Sequence, residues 1–167
     1  QGVSGTVYAP KLDQDVNADP IRDGGHTLRR YRSFIPVLNL SDEQRAQLVA
    51  VGGNLMSFDL LGMLLVQKGL SVIHTHALNR IGGIARTAAK LRKLPLVVTI
   101  HGGVLDLPKS VQQALSAPLE GGFEWGRIFG ALFRSREVLR QADAIVTCNP
   151  KEAALEQEKF PGKKVIV

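Results

Sequence analysis

A single cysteine, Cys148, stands in the 167 residues of this chain. One thiol excludes an internal disulfide framework and a cysteine-based zinc finger. No apolar run approaches the ~18 residues that span a bilayer. The opening Gln1-Gly2-Val3-Ser4 has neither Met nor the basic-then-apolar pattern of a signal peptide, and we read it as a cut end. GxGxxG, GxxxxGK[ST] and GxSxG are all absent. The dinucleotide, P-loop and serine-hydrolase fingerprints are therefore unmet.

Hydrophobic residues at 44% and charged residues at 22% suit an ordinary soluble globular domain. The length corresponds to about one domain, long enough to bury roughly 70% of its unfolded surface without a staple. The formal charge of +6 favours anionic partners such as sugar nucleotides or phospholipid head groups. The basic residues are scattered, as Arg29-Arg30, Arg92-Lys93, Arg134 with Arg136, and Lys163-Lys164. No block of like charges forms a nucleic-acid tail, so no nucleic-acid partner is expected.

Strands and helices alternate along the chain. Thr6 to Ala9 is a β-prone run stopped by Pro10; a polar stretch and the turn signal Asp23-Gly24-Gly25 follow. His26 to Phe34 alternates as an edge strand, with His26 in a hairpin. Ser41 to Gln44 opens a helix as a capping box. Leu48, Val51, Leu55, Leu61, Leu64 and Leu65 give that helix a buried stripe, weakened at Gly52-Gly53 and stopped by Gly69. Leu70 to Thr75 is a strand. Arg80 to Leu94 is a helix capped by Asn79 and ended by Pro95. Leu96 to Ile100 is almost wholly apolar, as a strand covered on both faces must be. After a loop rich in Gly and Pro to about Gly122, a helix runs from Glu124 to Gln141 with Trp125, Ile128, Phe129, Leu132 and Phe133 at helical spacing. Asp143 to Thr147 is a strand, Asn149-Pro150 caps a helix to Phe160, and Lys164 to Val167 starts a further strand.

Apolar strands separated by helices predict an α/β fold: βαβ units, a mostly parallel sheet and helices on both faces. Ligands of such sheets sit at the carboxyl ends of the strands, here His74-Thr75-His76, His101-Gly102-Gly103 and Thr147-Cys148-Asn149. His74 and His76 share one face of a strand and resemble the start of a metal site. Zinc wants at least three well-placed ligands, so a hydrogen-bonded structural role beneath the loop suits His74 better. Gly102 and Gly103 let a ligand approach the backbone closely, and the His101 imidazole can donate to a sugar hydroxyl or phosphate oxygen. The alternative for that tripeptide is a tight turn. Gly82-Gly83 reads as close helix–sheet packing. The aromatic helix, with Arg127, Arg134, Arg136 and Arg140 around it, turns its stripe either to the sheet or to an anionic membrane.

The order of these strand ends carries a family resemblance. Leu70 to His76, then a helix, then Pro95 to Gly102, resembles the "DviHaH … P-vv-t-HG" signature of the N-terminal domain of GT-B glycosyltransferases, closest to the retaining family 4. Ala142 to Thr147 with Asn149 and Glu152 is similar to that family's "ADaii-s-s-E" strand. Phe160 to Val167 resembles the segment before its interdomain linker, and Gly5 to Tyr8 what remains of "GHeVtVya". The resemblance implies a Rossmann-like sheet forming the N-terminal half of a sugar-nucleotide-dependent transferase. It implies one domain over 1–167, truncated at both ends and lacking the C-terminal nucleotide-sugar domain. His101 would be the catalytic residue contacting the transferred sugar, with Gly102, Gly103, His76, Asn79 and Asn149 as substrate contacts. Transfer would retain anomeric configuration, with a nucleotide-sugar donor, a glycan, lipid-linked or small-molecule acceptor, no metal and no other cofactor. A cytoplasmic protein is expected, peripheral to the inner membrane face if its acceptor is lipid-linked. The family's first strand and Gly-rich loop are missing or reduced to Gly2 to Gly5, so these residues alone are expected to be inactive. The competing readings are a metal-dependent hydrolase built on His74, His76 and His101, and a basic, non-catalytic membrane-docking module.

Overall fold

In the computed structural model of the protein, the described residues are 4–11, 26–50, 55–101 and 123–167. The Asp23-Gly24-Gly25 turn, Gly52-Gly53, Gly102 and Gly103 lie outside them. Strands β1 (Thr6–Pro10) and β2 (Thr27–Tyr31) form a two-stranded parallel sheet. Strands β3 (Ile73–Thr75), β4 (Leu96–Ile100), β5 (Ala144–Thr147) and β6 (Lys164–Ile166) form a second parallel sheet in the order β3-β4-β5-β6. The fold is α/β and Rossmann-like, as expected.

Three local expectations are corrected. His26 does not lie in a hairpin: Thr6 pairs with Thr27 in parallel register, and parallel strands need a crossover rather than a tight turn. The single helix expected from Ser41 to Leu65 is two, α1 (Asp42–Ala50) and α2 (Asp59–Val66). Its capping box forms, with the Gln44 amide donating to Ser41 Oγ at 3.2 Å and the Ser41 amide to Gln44 Oε1 at 2.9 Å. Met56, however, is drawn out to pair antiparallel with Phe34, and Ser57 Oγ restarts the helix by accepting from the Leu60 amide. Leu60 and Leu64 are buried, whereas Leu65 is exposed.

The helix expected over Glu124 to Gln141 is likewise broken, into α4 (Arg127–Leu132), a 3₁₀ turn at Ser135–Glu137 and α5 (Val138–Gln141). Arg134 takes a positive φ of 49° at the break. The cause is α3 (Arg80–Arg92), whose glycine surface receives this segment: a Cβ on Gly83 would lie 2.8 Å from Ser135 Oγ and 3.0 Å from Phe133. Gly82 similarly admits the Ala77 carbonyl. The two glycines thus serve close packing, against a loop and the 3₁₀ turn rather than the sheet.

The core gathers Ile84 and Ala88 of α3 with Val98, Ile100 and Ile145 of the sheet, all at most 2% exposed. Leu96, Val98 and Ile100 are fully buried, while Val97 and Thr99 are half-buried, so the second face of β4 is less covered than its apolar sequence implied. Lys93 ends α3 in the left-handed conformation, before Pro95. Helix α6 (Pro150–Lys159) is capped as expected, Asn149 Oδ1 accepting from the Lys151 amide at 3.0 Å. Among the described residues no helix is long and apolar enough to cross a membrane.

A paired substitution checks the packing. A Cβ at Gly82 would meet the Ala77 oxygen at 2.1 Å, so Gly82→Ala is expected to cost about 1–3 kcal/mol. Gly62 on α2 has nothing within 4 Å of that position, and Gly62→Ala should gain about 0.5–1 kcal/mol. Urea denaturation of the two variants beside the parent measures both.

Candidate active site

Residues alternate across a strand, and the register pairs Ile73 with Leu96, His74 with Val97 and Thr75 with Val98. Ile73, Thr75, Leu96, Val98 and Ile100 therefore take the buried face. His74, Thr99 and, just past the two strands, His76 and His101 follow the other. Both strand ends are tied down. Thr75 Oγ1 donates to the Ala77 carbonyl and accepts from its amide, each at 3.1 Å. Thr147 Oγ1 ends β5 in a similar way, accepting from the Asn149 amide at 3.2 Å.

Three imidazoles adjoin one another on this face, His74 stacked on His76 and His76 meeting His101 edge to edge. His74 lies 4.7 Å from His76, ring centroid to centroid, and His76 lies 5.1 Å from His101 with planes inclined by 16°. His76 Nδ1 and His101 Nε2 are hydrogen-bonded at 2.8 Å, and His74 Nε2 and Thr99 Oγ1 at 2.6 Å. His74 is exposed and bonds a neighbouring strand, rather than lying beneath a loop as expected. Partial burial, with the His74 and His101 charges beside it, holds His76 below the usual imidazole range.

These side chains open onto a cavity of 730 Å³ that β1 and β2 close from the far side with Tyr8 and Tyr31. Burial pushes the Tyr31 phenol up to about 12, the Asp59 charge adding to it, and burial also raises Tyr8. Both tyrosines are thus neutral donors at physiological pH. No Asp, Glu, Lys or Arg among the described residues lines the cavity.

His101 is exposed at the carboxyl end of β4, and His76 and Asn79 line the same cavity. Asn79 holds the N-cap position of α3 but its side chain makes no capping bond, which leaves its amide group for other use. Asn149 is not among the cavity residues, and its Oδ1 is engaged in capping α6. The described residues contain no cluster of three or more His, Cys, Asp or Glu that could hold a metal. The positive geometric reason is that His76 and His101 point nitrogens at each other, and His74 points at Thr99, instead of at one common centre. Sequence reasoning missed Thr99 and Tyr8. Strand alternation could have found Thr99, whereas Tyr8 needed the tertiary fold.

Arg80 anchors one rim. It is 5% exposed at the start of α3, donates from Nε to the Gly126 carbonyl at 2.9 Å and pairs with Glu124. Replacing one partner of a buried pair strands the other. Arg80→Met should therefore cost about 3 kcal/mol, and adding Glu124→Leu should recover most of it. A double-mutant cycle by chemical denaturation reads the coupling.

A family model described as a glycosyl transferase 4-like domain matches residues 1–167. No curated protein and no solved structure matches the chain.

Proposed function

Because the chain belongs to the glycosyl transferase 4-like domain family, we propose that it is the acceptor-side half of a sugar-nucleotide-dependent retaining glycosyltransferase. In this reading the bond from the anomeric carbon to the diphosphate breaks, and the acceptor oxygen takes that carbon and loses its proton. His101 contacts the transferred sugar. His76 and Asn79 line the approach, and Gly102 and Gly103 leave it room. No metal is used; the diphosphate charge that develops is met by preorganised donors, the electrostatic route to a lower barrier.

The observation that carries this reading is the exposed His101 imidazole at the carboxyl end of a parallel strand, beside a cavity able to hold a sugar. The nucleotide lobe belongs to a further domain, and these residues alone do not turn over. The donor sugar is identified by screening nucleotide sugars against the full reading frame. His101→Ala there should lose about 100-fold or more in transfer rate, the scale for removing one donor to developing charge. Transfer at the parent rate, or turnover by the 167 residues alone, overturns the reading.

A second reading, compatible with the first, is peripheral docking on the inner face of an anionic membrane. Phe58, Phe123, Ile128 and Leu132 are each more than 60% exposed, beside Trp125, which stacks on Phe34 and meets Phe129 edge to face. Exposed Arg32 and Arg127 flank them. Arg134, Arg136 and Arg140 follow on the same segment, Arg134 and Arg140 paired with Glu137 as Arg32 is with Asp59 and Arg127 with Glu124. Ile128→Glu with Leu132→Glu should abolish flotation with phosphatidylglycerol vesicles while leaving the melting temperature in place. Unchanged flotation removes the reading.

A further inference from the structure

Two imidazole nitrogens 2.8 Å apart can share only one proton. His76 Nδ1 and His101 Nε2 therefore cannot both be N–H, and the state of one ring dictates the state of the other. If His101 donates, His76 is the acceptor and keeps its own proton on Nε2. If His76 donates, His101 must carry its proton on Nδ1. One added proton leaves the bond intact, with one ring an imidazolium that donates and the other a neutral acceptor. A second added proton sets two N–H groups against each other and breaks the bond.

Several features decide which ring takes the first proton. His76 has an imidazole on either side, with centroids at 4.7 and 5.1 Å, whereas among the described residues His101 adjoins His76 alone. A charge on the middle ring would be repelled from both sides, and it is also the ring that burial and its neighbours keep from protonating. His74 is held in place by Thr99. Around the pair, β3 contributes His74 and β4 Thr99, while Tyr8 and Tyr31 of β1 and β2 line the same cavity, neutral at these pH values. No carboxylate among the described cavity residues is available to orient His101.

We propose that His76 is the positioning residue of His101: it stays neutral, accepts the Nε2–H of His101 at its own Nδ1, and so directs the pair's single added proton to His101. His101 Nδ1 is then an acceptor when the site is empty and a cationic donor once the proton is taken up. That proton comes from solvent, and no covalent bond is made or broken beyond it. The ligand chemistry this favours is an anionic oxygen, such as the diphosphate of a sugar nucleotide. The last step rests on the transferase reading, whereas the proton sharing does not.

The experiment is imidazole nitrogen NMR of the 167-residue protein across pH 5–8. The expected result is a two-bond coupling across the His76–His101 bond, with the proton on His101 Nε2. The coupling should vanish on acidification, in a second step separated from the first by more than about one pH unit. His76→Phe keeps a stacking ring and removes the acceptor, and should release His101 Nε2 to a mixture of tautomers. His76→Asn places an amide oxygen near the lost Nδ1 and should restore the Nε2–H state. If His76→Phe unfolds, His101→Phe serves instead and should raise the pH at which His76 takes its proton. Absence of the coupling, a proton on His76 Nδ1, or unchanged His101 tautomers in a folded His76→Phe protein overturns the proposal. Failure of the full reading frame to transfer sugar overturns the transferase reading and leaves this result standing.

Discussion

The register between β3 and β4 is the constraint on which the site depends. It sets His74 beside Val97, so strand alternation puts His74, His76 and His101 on one face and Ile73, Leu96, Val98 and Ile100 on the other. A slip of one residue would exchange the two faces, drawing Val97 and Thr99 into the core in place of Leu96, Val98 and Ile100. The register is pinned from outside the ladder as well. Leu96 donates its amide to Asp143 Oδ2 at 2.7 Å, and the Asp143 amide donates to the Leu96 carbonyl at 2.8 Å. The Ile73 amide reaches the Pro95 carbonyl at 3.0 Å, and Arg92 ties the end of α3 to the Leu64 carbonyl at 2.8 Å. The strands are thus fixed where they begin, and chemistry is left to the ends where they finish.

The excess positive charge does not converge on that site. Glu124 pairs with Arg80 and Arg127, and Glu137 lies within ion-pair distance of Arg86, Arg134 and Arg140. Burial would raise the Glu137 carboxyl, but the Arg134 hydrogen bond and the surrounding guanidinium charges outweigh it and hold the group below its ordinary range. These networks lace α3 to the broken helix behind it. A basic composition therefore says little about the cavity, whose described walls carry no fixed charge.

Signals confined to a few residues were legible in the sequence: the Ser41–Gln44 box, Pro95 before β4, and Asn149-Pro150 opening α6. Each is satisfied by neighbours within one turn of chain. The failures share the opposite property. Met56 leaves its helix to meet Phe34, Arg134 breaks another against Gly83, and Thr27 pairs in parallel with Thr6; each partner is remote in sequence. Nothing in the pattern of α6 announced that Glu152 and Glu156 would both be fully buried. Burial, with Glu152 adding to it against an opposing Lys159, raises the Glu156 carboxyl, so the fold favours its protonated form. Its contribution to stability is present below the ordinary carboxylate range and is lost as pH rises through the raised value. For the site, the strand ends named the imidazoles, but their contacts with one another required the register.

The choice of an imidazole, rather than a carboxylate, as the partner of His101 has a chemical consequence. A carboxylate is a fixed charge near neutral pH and would favour a cationic His101 whether or not a ligand were present. A neutral imidazole accepts the same hydrogen bond and fixes the same ring orientation while supplying no charge. The cost of protonating His101 then falls on whatever anion occupies the cavity, because the described walls offer no other counter-charge. Under the proposed transferase function, a diphosphate in the cavity would lower the cost of protonating its own donor. The stacked His74 strengthens this dependence by keeping His76 from taking the proton instead. On the proposals above, charge at the site would be tied to occupancy, an arrangement suited to a cleft whose anionic ligand arrives, reacts and leaves.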